Sequence, residues 1–272
     1  MSAPALAQAA AALAAAGCET PRLDAEVLLA EAVEVDRLTL LARNGTELSE
    51  RQSRRFDALV ARRARREPVA YILGRRAFRD LELAVDSRVL VPRPETELLV
   101  ETALELPRGA RVLDVGTGSG AVALALKHER PDLDVAGSDV SPDALAVARA
   151  NGERLGLAVA WRRADLLSGA GGPWDAVVAN PPYVAAADLR ALAPEIVRHE
   201  PRAALEAGED GLGVISRLVA QIAVAGVPWV AIEVGVGQAA AVRKRLAGAG
   251  YAHTEARDDL AGIPRVVVAR RT

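Results

Sequence analysis

Hydrophobic residues in the later part of the chain form short runs that alternate with helical patterns. The runs have the length of strands, and apolar residues between them recur at helical spacing. Strands separated by helices need crossover connections, so the pattern predicts an α/β fold with a parallel sheet covered on both faces. The predicted strands are residues 111–115, 135–138, 158–162, 176–179 and 229–234, with helices at 121–128 and 142–151.

The end of the chain has a different pattern. Residues 251–255 and 265–269 have strand character and flank a loop at 258–264, with no helix between them. Two strands joined by a short loop pair antiparallel. The parallel sheet should therefore end in an antiparallel hairpin.

Residues 1–75 predict helices only. Leu23, Val27 and Leu28 recur at helical spacing after Thr20–Pro21, a capping residue followed by a proline at the first helical position. The alanine-rich start could pass for the apolar part of a signal peptide, but it lacks preceding basic residues and favours a helix. Another helix should follow Ser49. It carries a set of arginines that forms either a solvated face or a contact for an acidic or RNA-containing partner: Arg51, Arg54, Arg55, Arg62, Arg63, Arg65 and Arg66.

Residues 76–92 predict a linking β-hairpin. Leu81, Leu83 and Val85 alternate with polar residues before the turn formers at 86–87, and the alternation resumes at 89–91. Two prolines then stiffen the chain at the start of a second domain, residues 93–272.

Composition excludes several classes of protein. With 34 basic and 36 acidic side chains, the net charge of −2 gives no general attraction to nucleic acid. Cys18 is the single cysteine, and the three histidines lack metal-ligand spacing, so we expect neither a disulfide nor a metal. No apolar stretch is long and uninterrupted enough to span a membrane. A reducing, cytoplasmic location is the simplest interpretation.

A glycine-rich loop lies between the first strand of the sheet and its helix. Its central residues are Gly116, Thr117, Gly118, Ser119 and Gly120. Such a loop at the carboxyl end of a strand is where open α/β sheets bind ligands, and alone it also fits a nicotinamide dinucleotide. Asp139 ends the next strand, where it could bind an adenosine ribose. Asp165 and Leu166 follow the third strand and could meet an adenine, although either aspartate could simply cap a helix.

The tetrapeptide Asn180, Pro181, Pro182 and Tyr183 directly follows the fourth strand. Asn-Pro often starts a turn, yet this combination beside a glycine loop suits methyl transfer to a planar nitrogen. The lone pair of such a nitrogen is delocalised. The oxygen of Asn180 and the carbonyl of Pro181 could each accept a hydrogen bond from this nitrogen and so direct its lone pair at a sulfonium methyl group. Tyr183 could stack on the planar substrate.

Three further residues leave alternatives open. Thr96 and Glu97 could be plain capping residues at a helix start, or could close over the cofactor. Glu233 lies in an apolar strand, where an unpaired carboxylate is costly. It either forms internal hydrogen bonds or faces the pocket.

These motifs resemble the HemK-type protein-(glutamine-N5) methyltransferases, which modify peptide chain release factors. The resemblance covers most of the chain. Besides the glycine loop and the tetrapeptide, it is carried by residues 67–74, 89–97, 200–205, 210–212 and 233–235, and by Gln238. Arg79, where an aromatic residue is usual, and Leu166, where a larger side chain is common, depart from the family pattern.

The resemblance implies a Rossmann-like class I methyltransferase domain preceded by a small helical substrate-recognition domain. It implies S-adenosylmethionine contacts at residues 116–120, Asp139, Leu166 and Asn180, and substrate contacts at residues 180–183. The implied substrate is the glutamine of the Gly-Gly-Gln loop in class I release factors. A ribosomal-protein glutamine, a nucleic-acid amino group, or a non-catalytic role in translation are the alternatives.

Overall fold

The computed structural model describes residues 2–42 and 47–271, which form two compact units. One unit comprises the chain up to Arg75 together with Ala193–His199, and the other comprises Arg76–Leu192 and Glu200–Thr272. The outer limits of the domains expected from the sequence, Met1 and Thr272, lie outside the described residues. Among the described residues, no helix is long and apolar enough to cross a membrane.

Helices and strands follow in the order expected from the sequence. The helices are α1 (Ser2–Ala15), α2 (Pro21–Val33), α3 (Arg37–Ala42), α4 (Glu50–Ala64), α5 (Val69–Leu73), α6 (Glu97–Ala103), α7 (Ala121–Glu129), α8 (Pro142–Leu155), α9 (Pro194–His199), α10 (Gly213–Ala225) and α11 (Ala239–Gly248). The strands are β1 (Arg75–Phe78), β2 (Leu81–Ala84), β3 (Arg111–Val115), β4 (Asp134–Asp139), β5 (Ala160–Arg163), β6 (Ala176–Ala179), β7 (Trp229–Glu233), β8 (His253–Asp258) and β9 (Pro264–Arg270).

The first unit is a small helical assembly around its own apolar core. Leu13, Leu28 and Phe56, from α1, α2 and α4, are almost fully buried in one cluster. The helix α4 begins with a capping box, in which Ser49 and Gln52 satisfy each other's backbone N–H groups. Helix α4 therefore begins where the local residue Ser49 caps it, and the apolar faces of the helices meet in the core.

The arginines of the predicted basic helix are largely engaged within the first unit. Salt bridges to acidic side chains of the same unit are formed by Arg54, Arg55, Arg62, Arg63 and Arg66. Their charges are to that extent neutralised for an outside partner.

The most buried of these ion pairs centres on Arg63. Its guanidinium donates to Asp24 at 2.7 Å and to Glu195 at 2.8 Å, and Arg66 also donates to Glu195, at 2.6 Å. Burial would raise the pKa of Glu195, but the hydrogen bonds from Arg66 and Arg63 outweigh it and lower that pKa to about 2. Helix α9 is thereby joined to α2 and α4.

The second unit contains the sheet that the sequence predicts. Its strand order is β5-β4-β3-β6-β7-β9-β8, with β5 to β7 parallel and both β9 contacts antiparallel. Apolar clusters cover both faces, and all four residues of β6 are buried. The Rossmann-like fold with a closing antiparallel hairpin is confirmed. The parallel strands direct their carboxyl ends to one edge, where Val115, Asp139, Ala179 and Glu233 end their strands.

The turn of the linking hairpin lies elsewhere than the sequence pattern suggested. The two-stranded sheet pairs β1 with β2, so the turn is Arg79–Asp80, and the predicted turn at residues 86–87 is followed by no strand. Val89 and Val91 are buried, although the segment that carries them forms no strand. Arg79 takes a left-handed conformation with φ of 50°. Glycine or asparagine is usual at such a position, so an arginine there gave no sign of a turn in the sequence.

Side chains fix the hairpin and the segment after it to the second unit. Arg79 forms an ion pair with Glu129 at the end of α7, so its departure from the family pattern is accommodated by charge. Asn151 of α8 exchanges hydrogen bonds with the backbone of Ala84 and also donates to the carbonyl of Ser119 at 3.0 Å. It therefore connects the hairpin to the glycine loop.

We expect Arg63→Ala to lower the free energy of unfolding of the first unit by about 3–5 kcal/mol, because Asp24 is left buried without its cation. Denaturant unfolding followed by circular dichroism measures the loss. Arg54→Ala is the matched control, since its pair with Glu50 is exposed and should contribute less than about 1 kcal/mol. Equal losses in the two variants would contradict a structural role for the buried pair.

Candidate active site

The glycine loop after β3 is braced from below by a buried carboxyl group. Asp114 accepts hydrogen bonds from Oγ1 of Thr117 at 2.6 Å and from the N–H of Ala123 at 3.2 Å. The N–H groups of Gly116 and Thr117 both donate to the carbonyl of Ser138 in β4 at 2.9 Å. Burial raises the pKa of Asp114 to about 7. The loop is thus fastened to two neighbouring strands.

Open space lies above two glycines of this loop. Gly116 and Gly118 have φ of +74° and +55°, which glycine adopts without strain. A Cβ added to Gly118 would meet nothing within 4 Å, and one added to Gly116 would meet only the Asn180 carbonyl, at 3.9 Å. A ligand can approach this backbone closely because no side chain occupies the space.

Asp139 stands beside this open space at the end of β4. Its carboxyl oxygens accept hydrogen bonds from the N–H of Gly118 at 3.0 Å and of Ser141 at 2.9 Å. Burial raises its pKa. The carboxylate is held in place with further lone pairs, which suits it to accept hydroxyl groups of a ligand.

Asp165 and Leu166 lie in a tight turn after β5. The backbone groups of Asp165 and Ser168 hydrogen-bond to each other, and Leu166 has φ of 58°. Gln221 of α10 accepts the N–H groups of Leu167 and Ser168, which fixes the turn. The carboxylate of Asp165, expected at an adenine, is half exposed and forms an ion pair with Arg217.

Asn180 follows β6 at the same edge of the sheet. Its side-chain Nδ2 donates to Oγ1 of Thr96 at 3.0 Å. The hydroxyl of Thr96 forms no capping bond to α6, so its contact is with Asn180 instead of the helix terminus. With the NH₂ end of the amide committed to Thr96, the opposite end of the amide presents its oxygen as an acceptor.

Glu233 lies behind this pair at the end of β7. It is 1% exposed, and its side chain contacts Thr96 and Asn180. Burial, opposed by hydrogen bonds from Thr96 and Asn180 and reinforced by the nearby charge of Glu95, raises its pKa to about 7. Its Oε2 has no hydrogen-bond partner within the described residues. Of the two alternatives for Glu233, the structure supports internal hydrogen bonds, because the carboxyl group is buried and its contacts are with Thr96 and Asn180.

Tyr183 is partly buried and packs against the apolar cluster on one face of the sheet. Burial, followed by the charge of Glu233, raises its pKa to about 12. The phenol is therefore neutral at ordinary pH. It can supply a flat surface, but it is a poor acid or base.

The backbone after the tetrapeptide is fastened to two other loops by Gln238. Its Nε2 donates to the carbonyls of Tyr183 at 3.0 Å and Gly211 at 3.4 Å, and its Oε1 accepts the N–H of Gly235 at 2.9 Å. Val184 also exchanges backbone hydrogen bonds with Leu205 and Ala207. The loop that carries Asn180 and Tyr183 is rigid as a result.

The structure brings together the glycine loop, Asp139 and the tetrapeptide at one edge of the sheet, as the sequence led us to expect. Reasoning from the sequence assigned no role to Asp114 or Gln238 and left Thr96 and Glu233 open. The available signal for Asp114 and Glu233 was a carboxylate at the end of an otherwise apolar strand. Gln238 was singled out only by the family resemblance, which gave it no role, and its hydrogen-bond partners come from loops distant in sequence.

Comparisons with known proteins give matches over most of the chain. Residues 4–74 match the PrmC N-terminal domain, and residues 94–220 match the Methyltransferase small domain. The chain is 44% identical over 272 residues to a release factor glutamine methyltransferase of Deinococcus radiodurans, covering 98% of this chain and 97% of that protein. It is 41% identical over 262 residues to one of Geobacter sulfurreducens, covering 95% and 92%. A solved methyltransferase from Pyrococcus furiosus shares the fold, with a TM-score of 0.53 at 17% identity over 72% of this chain and 91% of that chain.

We expect Gly211→Ala to destabilise the protein more than Gly208→Ala. Both glycines have positive φ, which costs alanine about 1–2 kcal/mol, but only at Gly211 would the new Cβ meet the Tyr183 carbonyl, at 2.5 Å. The clash should cost about 1–3 kcal/mol more. Denaturant unfolding measures the difference, and faster hydrogen exchange at the Val184 amide reports the loosened loop. Equal losses would mean that this close approach contributes nothing.

Proposed function

Because the chain belongs to the family of release factor glutamine methyltransferases, we propose that it transfers a methyl group from S-adenosylmethionine to the side-chain amide nitrogen of a release factor glutamine. The target is the glutamine of the Gly-Gly-Gln loop in class I release factors. The observation that carries this proposal is the orientation of Asn180, whose NH₂ end is bonded to Thr96 and whose oxygen remains available.

That orientation suits a planar NH₂ group. An amide nitrogen is a poor nucleophile, since its lone pair is delocalised into the carbonyl. Asn180 Oδ1 and the carbonyl of Pro181 each accept a hydrogen bond from the substrate NH₂ group. These two bonds hold the nitrogen in place and stabilise the positive charge that develops on it. Positioning of this kind is worth on the order of 7–11 kcal/mol in a bimolecular reaction. Tyr183, neutral and rigid, supports the flat face of the substrate amide.

The edge of the sheet fits S-adenosylmethionine on its own geometry. The space above Gly116 and Gly118 would admit the amino-acid part of the cofactor against bare backbone, and Asp139 would accept the ribose hydroxyls. Leu166 would contact the adenine ring. When bound, S-adenosylmethionine supplies an electrophilic methyl group on a sulfonium. Asp165 is assigned a lesser role than its position in the sequence suggested, because Arg217 already pairs with its carboxylate.

The reaction does not require a strong general base in this site. A methylated amide nitrogen becomes acidic as it gains positive charge, and its proton can pass to water. Tyr183 is consistent with this. Its pKa is raised to about 12, so the phenol is neutral at neutral pH, and a neutral phenol is a poor proton acceptor.

A transfer assay tests the substrate. Purified protein with radiolabelled S-adenosylmethionine should label a class I release factor on its Gly-Gly-Gln glutamine, as located by peptide mass spectrometry. Asn180→Ala should lower kcat by about 10²–10³-fold, because one acceptor for the amide hydrogens is lost, while the circular dichroism spectrum is kept. A ribosomal protein, RNA and DNA are offered in parallel reactions. Label on any of these without label on the release factor would overturn the substrate assignment.

A binding measurement tests the assigned role of Asp139. Asp139→Asn should weaken S-adenosylmethionine binding by about 10–100-fold, because charge-assisted hydrogen bonds to the ribose contribute about 1.5–3 kcal/mol. Isothermal titration calorimetry gives the dissociation constant. Asp143→Asn, an exposed position in the first turn of α8, is the matched control and should bind as the wild type does. Unchanged binding in Asp139→Asn would remove the residue from the cofactor site.

A further inference from the structure

The side-chain amide of Asn180 has two chemically different ends. The NH₂ end donates hydrogen bonds and the oxygen end accepts them, while their shapes are nearly the same. A rotation of the amide by half a turn would place the NH₂ of Asn180 against the NH₂ of the substrate, and these two donor groups would repel each other. Something in the protein must therefore hold the amide in the productive orientation.

Thr96 alone cannot do this. A hydroxyl can donate as well as accept, so Thr96 could serve either end of the Asn180 amide. In the structure its Oγ1 accepts from Nδ2 of Asn180 at 3.0 Å. This direction is fixed if the hydroxyl proton of Thr96 is given to a group that accepts and never donates.

Glu233 is in position to be that group. Strands β6 and β7 are parallel neighbours with Ala179 opposite Ile232, so the next residues along the two strands are Asn180 and Glu233. The carboxyl group is 1% exposed and lies against both Thr96 and Asn180. Its Oε2 is buried without a partner among the residues that the structure describes, so the group has accepting capacity to spare.

We propose that Glu233 is a positioning residue that, as an acceptor-only carboxylate acting through Thr96, holds the oxygen of Asn180 towards the substrate amide. This inference rests on the proposed function for its consequence and deepens it. The hydrogen bonds run in one direction, from Asn180 Nδ2 to Thr96 Oγ1 and from the Thr96 hydroxyl to Glu233, and the direct contact of Asn180 with the same carboxylate favours the same orientation of the amide. Glu233 does not touch the substrate.

A protonated Glu233 would reverse this arrangement. It could donate to Thr96, whose hydroxyl proton could then point at Asn180 and favour the rotated amide. The charged and titratable groups that face Glu233 are Glu95 before α6, Arg265 on β9 and Tyr183 after β6. Burial raises the pKa of Glu233 to about 7. The charge of Glu95 adds to the rise, while the hydrogen bonds from Thr96 and Asn180 and the charge of Arg265 oppose it. Methyl transfer should therefore decline as the pH falls below about 7.

The pH dependence of kcat tests this role. The wild type should lose activity about tenfold per pH unit on the acid side of neutrality. Glu233→Gln keeps the shape but can donate, so it should lower kcat about 10–100-fold, as losses of supporting residues do, and should abolish the acid limb. KM for both substrates should change little. Glu105→Gln, an exposed carboxylate paired with Arg257, is the matched control and should keep the wild-type profile.

Substitutions at Thr96 separate positioning from general packing. Thr96→Val removes the hydroxyl while keeping the side-chain volume, and should reproduce the loss seen in Glu233→Gln. Thr96→Ser restores the hydroxyl and should recover most of the activity. An acid limb that persists in Glu233→Gln, or a fully active Thr96→Val, would overturn the proposal.

A spectroscopic readout makes the inference independent of the substrate assignment. The side-chain ¹⁵N–H signals of Asn180 should shift with pH around a midpoint near 7 in the wild type and stay constant in Glu233→Gln. If the Asn180 signals titrate in this way but no release factor is methylated, the positioning role holds and the proposed substrate is wrong. Asn180 signals that do not move with pH in the wild type would mean that Glu233 does not orient the amide.

Discussion

The chemistry proposed for this protein depends on one hydrogen bond, from the side-chain amide of Asn180 to the hydroxyl of Thr96. Together with the carboxylate of Glu233 behind it, that bond is proposed to decide which end of the amide faces outward. It exists because β6 ends at Ala179 and the next residue emerges at the edge of the sheet, beside the short helical segment that carries Thr96. The carboxylate of Glu233 lies behind both, buried and partly unsatisfied. A polar group of this kind is costly in a core unless its neighbours use it.

The same edge is rigid for reasons that lie outside the reacting residues. Asp114 braces the glycine loop from the end of β3, and Asn151 connects that loop to the β1–β2 hairpin. Gln238 joins three loops through the backbone groups of Tyr183, Gly211 and Gly235. Each brace satisfies backbone groups that would otherwise be unpaired, so stability and alignment of the site come from the same contacts. The proposed substrate and cofactor would thus meet surfaces that are already in place.

The helical unit is held together differently. Its core is a small apolar cluster, and around it the arginines of α4 pair with carboxylates from α2, α9 and the segment after α4. A run of arginines in a sequence invites comparison with nucleic-acid contacts, yet five of these guanidinium groups are committed to acids of their own unit. Charge in the sequence therefore described an internal network more than an external surface.

The sequence by itself determined the parallel sheet, its closing hairpin, the glycine loop and the position of the tetrapeptide, because apolar periodicity and turn residues are local signals. The sequence pattern misplaced the turn of the linking hairpin. Arg79 takes a left-handed conformation supported by an ion pair with Glu129, and arginine is not a residue from which a turn is predicted. Only the tertiary structure showed that Thr96, Asn180 and Glu233 are neighbours and that Gln238 joins three loops. Those contacts connect residues far apart in the chain, and which donor meets which acceptor depends on the fold, which no local pattern encodes.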